Sequence, residues 1–342
     1  MQSMRTAITT VANPARLLQR LYSSQGAAAL RAVDTLRGPL NSIDIHEFRD
    51  KAFQPEKPLL ITLKGDLKSA NIRTSKCPIP AAEKWFESIG SESGPSSQGS
   101  TISHHYLSPF GATILPYELV VDSSQRHTSV IDNGSGSQGV AGESQDLSTI
   151  LNNLTKGSSD GAFIRFNAPL SLFLQACRMK SRPRLYIAQA QIADMPKQLQ
   201  DDVPIPRLVK EAGKGDIYDA NIWMGIPPTY TPLHKDPNPN LFVQLASNKC
   251  VRIFRPSVGI SIFREVQQRI GRRSSSAFRG EEMMEGPERI ALDEVVWGQP
   301  MGEEGYEVVV SPGDALFIPK GWWHSIKSIG SEVTASVNWW FR

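Results

Sequence analysis

His234 and Asp236 stand two residues apart in the stretch TPLHKDPNPN, and a strand turns residues i and i+2 to the same face. An imidazole nitrogen and a carboxylate oxygen would therefore converge on one point. Far downstream, GDALFIPKGWWHSI supplies His324 in a comparable apolar, strand-like setting. Two histidines and one carboxylate on one face of a metal, with its other positions open, form the ligand set of non-haem Fe(II) oxygenases. The same donors would accept Mn, Co, Ni or Zn. H-x-D alone recurs by chance and fits equally a satisfied histidine beside a turn. Lys249 follows inside the apolar run FVQLASNKCVRIF. A cation whose stem lies in a core needs an anion to face, and the dicarboxylate 2-oxoglutarate would supply one.

These pieces, with RPRLYIAQAQI and ANIWMGI before them and SVNWWFR at the end, resemble the metal-binding core of the JmjC (cupin-like) 2-oxoglutarate oxygenases. The nearest likeness is to the small hydroxylases typified by factor inhibiting HIF and the JmjC arginyl hydroxylase. It runs over roughly residues 183–342, with a fainter echo near KPLLITLKG. The resemblance implies a mainly β fold with flanking helices, a double-stranded β-helix or jelly roll of cupin type. It implies His234, Asp236 and His324 as Fe(II) ligands, with 2-oxoglutarate and O2 as co-substrates. Lys249 matches the lysine that pairs with the far carboxylate of 2-oxoglutarate. Thr231 matches a hydroxyl on the same carboxylate, Tyr186 a phenol of similar role, and Asn240 and Asn338 amides near the keto-acid end. Without the resemblance, Thr231 closes a turn, Tyr186 packs and Asn338 satisfies backbone groups. Trp223, Trp323 and Trp340 read as packing, since large aromatics fill cores.

The reaction implied is hydroxylation of an unactivated C–H bond, with release of succinate and CO2 and no catalytic residue beyond the metal centre. A protein side chain is the expected target. The alternatives are an RNA-base hydroxylase of the same fold and a cupin-like protein that binds metal without turnover. Histone demethylation is disfavoured, because no chromatin-reader segment is visible. Arg264, Arg269, Arg272, Arg273 and Arg279 lie in an insert after Pro256 that reads as less regular. It offers a surface for RNA or an acidic peptide, although Glu281, Glu282 and Glu285 balance it as a solvated loop.

Many short strands between Gly/Pro turns must position these residues, which argues for a closed or sandwiched β-fold. The chain has 342 residues with 40% hydrophobic and 21% charged, ordinary values for a globular protein. No apolar run reaches the roughly 18 residues of a membrane span. Net charge is +3, and the four arginines before Asp34 account for it, so the body is near neutral and gives no electrostatic case for nucleic acid. Those first 33 residues, rich in Arg, Ser and Ala and free of acids, resemble a mitochondrial transit peptide; the alternatives are a disordered tail and a nuclear or cytoplasmic protein. Cys77, Cys177 and Cys250 show no paired or metal-type spacing, which fits a reducing compartment.

Residues 34–182 read as an α/β region packed on the 183–342 core. Within it, CPIPAAEKWFESIG reads as a helix entered at Pro80. FGATILPYELVV reads as one or two strands, and the Gly/Ser-rich stretches 91–103 and 132–146 as flexible loops. GSSDG at 157–161 has the form G-x-S-x-G, but it follows a helix-like stretch and precedes a strand-like one. A nucleophile elbow needs the reverse order, so it reads as a polar turn.

Overall fold

The computed structural model describes residues 30–63, 77–89, 99–121, 149–150, 153–156, 158, 162–271, 284, 286–298 and 302–342. Its first half carries β1 (Arg31–Ala32), β2 (Asp34–Arg37), β3 (Leu59–Thr62), β4 (Phe86–Ile89), β5 (Gly99–Ile102), β6 (Ile114–Val120) and β7 (Phe163–Pro169), then helix α1 (Leu170–Arg178). Next come β8 (Arg184–Gln191), β9 (Ile217–Gly225), β10 (Tyr230–Lys235), β11 (Asn240–Ala246) and β12 (Asn248–Phe254). Helices α2 (Pro256–Arg269) and α3 (Gly286–Trp297) precede β13 (Gly305–Val310), β14 (Ala315–Ile318), β15 (Trp323–Ile329) and β16 (Thr334–Phe341).

Two sheets carry the architecture. The smaller runs β1–β13–β12–β15–β10 and the larger β2–β3–β14–β11–β16–β9–β8–β6–β7. Apart from β1 and β2, their strands pair antiparallel, the two-sheet arrangement of a jelly roll. β6, β7 and β8 extend the same large sheet, so strands from both sides of residue 183 share one hydrogen-bonded layer.

β11 explains why NLFVQLA reads as nearly continuous apolar sequence: all seven residues are buried. Leu241, Val243 and Leu245 join the core outside the large sheet, where Phe48, Trp85 and Phe173 cover them. Phe242 points the other way, into a core between the sheets with Val251, Ile253, Val310 and Leu316. Each such side chain stabilises the fold by about 1.5–3 kcal/mol relative to exposure. A strand covered on both faces loses the apolar/polar alternation of a half-exposed one.

A carboxylate pins the covering segments. Asp202, 1% exposed, accepts from Lys84 Nζ at 2.5 Å, Trp85 Nε1 at 2.8 Å and Tyr106 Oη at 2.6 Å.

The structure corrects three expectations. The helix expected over CPIPAAEKWFESIG lasts one turn, Ala81–Lys84, after which the chain becomes β4. Trp85 is drawn onto Asp202, and Phe86–Ile89 finds a partner strand in β5, so tertiary pairing outweighs helix propensity. That partner, Gly99–Ile102, is itself ordered strand inside the stretch expected to be flexible; residues 91–98 and 132–146 lie outside the described residues. In the insert after Pro256, expected to be less regular, the described residues hold α2 and α3, while 272–283 and 285, with Arg272, Arg273, Arg279, Glu281, Glu282 and Glu285, lie outside the described residues. Val258, Ile262, Phe263 and Val266 recur at helical spacing and pack against Leu292, Val295 and Val296.

FGATILPYELVV forms the single strand β6. GSSDG falls, except for Ser158, outside the described residues. Among the described residues no helix is long and apolar enough to cross a membrane.

Cations and rings alternate where α3 lies on the smaller sheet. The Arg289 guanidinium sits 5.0 Å from the Tyr230 ring, and Lys327 Nζ sits 5.1 Å from that ring and 5.0 Å from Trp297. Arg252 completes the ladder 4.6 Å from Trp297. Each rung contributes about 0.5–2 kcal/mol, more where water is excluded.

Candidate active site

β10 and β15 pair antiparallel with His234 opposite His324. The two rings lie 4.2 Å apart between centroids, tilted 53° to one another. Candidate ligand atoms of His234, Asp236 and His324 all lie within 4.8 Å of one another. His324 Nε2 is 3.7 Å from Asp236 Oδ2. His234 Nδ1 lies 2.9 Å from the Pro232 carbonyl oxygen, and His324 Nδ1 lies 3.3 Å from that of Trp322. A carbonyl only accepts, so Nδ1 carries the proton and Nε2 the lone pair that a metal needs. Asn240 Nδ2 donates to Asp236 Oδ2 at 2.8 Å, and Asn338 Nδ2 donates to Asn240 Oδ1 at 2.9 Å. Tautomer, carboxylate orientation and donor spacing thus all fit a divalent ion.

The triad opens into a pocket whose wall mixes polar and aromatic side chains. Lys249, Thr231, Tyr186, Asn240 and Asn338 line this pocket together with His234, Asp236 and His324, so the structure brings the candidate metal and co-substrate residues to one cavity. Lys249 is only 2% exposed. Its Nζ donates to Ser336 Oγ at 2.9 Å and lies 5.4 Å and 5.9 Å from the rings of Phe242 and Tyr186. Burial in this surround pushes its pKa down to about 7.

Tyr186 lies directly opposite Gly225 on β9. A Cβ there would fall 2.1 Å from the phenol ring, so only glycine lets the ring settle against the strand.

Sequence reasoning missed several wall residues. Ser336, Phe242, Thr229 and Ile326 line the pocket. Trp223 and Trp340, read as packing, line it too, whereas Trp323 is core as expected, 1% exposed against α2. One signal was available: Ser336, Asn338 and Trp340 alternate along β16 and must share the face of Asn338.

The cupin-like domain family matches residues 127–342 of this chain. Among curated relatives, lysine-specific demethylase JMJ30 of Arabidopsis thaliana is 30% identical over 173 residues, which is 50% of this chain and 37% of that protein. Lysine-specific demethylase 8 of Danio rerio is 30% identical over 159 residues, 46% of this chain and 36% of that protein. Lysine-specific demethylase JMJ31 of Arabidopsis thaliana is 24% identical over 263 residues, 75% of this chain and 39% of that protein. The chain spans less than half the length of these relatives. The matched family covers well over half of the chain, including both halves of the histidine–aspartate–histidine site, and the chain belongs to the cupin-like family with JmjC-domain relatives.

Proposed function

We propose that this protein is an Fe(II)- and 2-oxoglutarate-dependent dioxygenase that hydroxylates a protein side chain. The observation that carries this reading is the placement of a three-ligand metal site and a buried lysine in one pocket. His234, Asp236 and His324 would hold the iron. Lys249, Thr231 and Tyr186 would take the far carboxylate of 2-oxoglutarate, with Asn240 and Asn338 near its keto-acid end. Iron and 2-oxoglutarate, when bound, supply the oxidising chemistry, with succinate and CO2 as by-products. The protein's part is orientation: Asn240 holds the Asp236 carboxylate, and Trp223, Phe242 and Trp340 exclude water from the pocket. Relatives named as lysine-specific demethylases support a protein substrate over an RNA base.

The test is anaerobic. Fe(II) followed by 2-oxoglutarate should give the weak visible charge-transfer band of the chelate, and admitted oxygen should then give slow succinate release. His234→Ala and Asp236→Ala should lose both while keeping a wild-type circular dichroism spectrum. Bound metal without a band in the wild-type protein would move the assignment to a non-catalytic metal-binding cupin.

We propose that the protein resides in the mitochondrial matrix, on the acid-free, arginine-bearing composition of residues 1–33, with any removed leader ending before β1 (Arg31–Ala32), which belongs to the fold. A reporter fused behind residues 1–40 should enter mitochondria; retention in the cytosol would refute the assignment.

A further inference from the structure

Lys249 is a whole cationic side chain enclosed in the fold, with one neutral oxygen, Ser336 Oγ, as its hydrogen-bond acceptor. On either side stand ring faces, those of Phe242 and Tyr186. Titratable groups reach this pocket from the other strands around it. β10 brings His234 and Asp236, β15 brings His324 and β8 brings Tyr186; Glu118 of β6 stands opposite Tyr186 in the sheet, outside the pocket lining. From β11 and β16 come only the neutral polar groups Asn240, Ser336 and Asn338. The depressed pKa arises from desolvation, with no neighbouring charge contributing. Among the described residues, an ammonium there has lost its water and has no carboxylate within ion-pair distance in exchange.

We propose that the pocket takes up a proton together with its anionic co-substrate: Lys249 is a neutral amine before a carboxylate arrives and an ammonium once it faces one. The proton comes from solvent and bonds to the Nζ lone pair; nothing is oxidised or reduced. Ionised 2-oxoglutarate supplies the missing countercharge, which returns the amine's basicity. The carboxylate binds the charged form, so above the pKa of the empty site each further pH unit removes about nine-tenths of the competent protein and weakens affinity about tenfold. Below that point affinity is flat. This inference rests on 2-oxoglutarate as the ligand and makes its binding sensitive to the pH of the compartment.

The experiment is isothermal calorimetry of 2-oxoglutarate into the Mn(II)-loaded full chain between pH 6.5 and 8.5. Measurements are paired in buffers of different ionisation enthalpy. The expected result is a Kd that rises about tenfold per unit at the alkaline end. Uptake should approach one proton per ligand there and fade toward none at the acid end. Lys249→Arg, whose guanidinium keeps its proton, should bind with no uptake and a flat profile if it folds. Lys249→Met should bind weakly with no uptake. Tight wild-type binding with no proton uptake at pH 8.5 overturns this inference and leaves the oxygenase assignment standing. No binding by the wild type at any pH overturns the assignment itself.

Discussion

A chain of amides between two carboxylates sets up a conflict of direction, and this protein has such a chain beside its candidate metal site. Asp236 accepts from Asn240, which accepts from Asn338. From the far side, Asp219 Oδ2 accepts from Asn221 Nδ2 at 2.7 Å. Asn221 stands opposite Asn338 across β9 and β16. Each amide gives one way and accepts the other, so with an acceptor at both ends the direction must reverse once. The reversal falls between Asn221 and Asn338, whose Oδ1 atoms are both buried without a donor among the described residues. Asp219→Asn removes the conflict. Its oxygen keeps the bond from the Ala220 amide that Asp219 Oδ1 now accepts. Its new NH2 donates to Asn221, which turns to donate to Asn338. The expected outcome is stabilisation of about 1 kcal/mol, read as a higher urea midpoint at unchanged slope. A lower midpoint would show that the Asp219 carboxylate is simply a needed acceptor.

At the scale of elements, the metal strands depend on the helices behind them. Gly259 of α2 lies against Trp323, the residue before His324, and a Cβ there would fall 2.0 Å from the indole Cγ. Gly259→Ala should therefore destabilise by about 1–3 kcal/mol and weaken Mn(II) binding by displacing β15. Ser261→Ala on the exposed side of the same helix should stay within about 0.5 kcal/mol and leave metal affinity unchanged. Equal loss in both variants would mean that α2 acts only as bulk stability. The Asp202 staple makes a second element-scale prediction. Asp202→Ala strands the buried Trp85 donor and the Tyr106 hydroxyl, and should cost about 2 kcal/mol in thermal or urea unfolding. Neither helix of the insert was legible in the sequence as a partner of the site, because the helical spacing of Val258, Ile262 and Val266 says which face is buried and not against what. His234, Asp236 and Lys249 were legible because strand alternation fixes their common side locally. Ser336 and Asn221 were not, since their roles arise only from which strands lie side by side.

Across the whole molecule, the pocket is assembled from distant parts of the chain. Lys249 and Ser336 are 87 positions apart and Asn240 and Asn338 are 98 apart. β14 and β16, from the end of the sequence, flank β11 in the middle of the large sheet. The double-layered β architecture was legible from the many short strands between turn residues, while their order was not, because pattern alone does not choose neighbours. The pairing of β10 with β15 across that span has a consequence in time. Long loops must close before these strands reward one another, and such non-local β topologies fold in milliseconds to seconds. His324 can join His234 only when the last strands have docked. In stopped-flow refolding, capture of Co(II), read by its visible absorption, should follow the slowest fluorescence phase and never precede it. A chain leaving the ribosome would then be unable to hold a metal ion until β15 and β16 have emerged and docked, which keeps reactive ions away from a half-formed pocket.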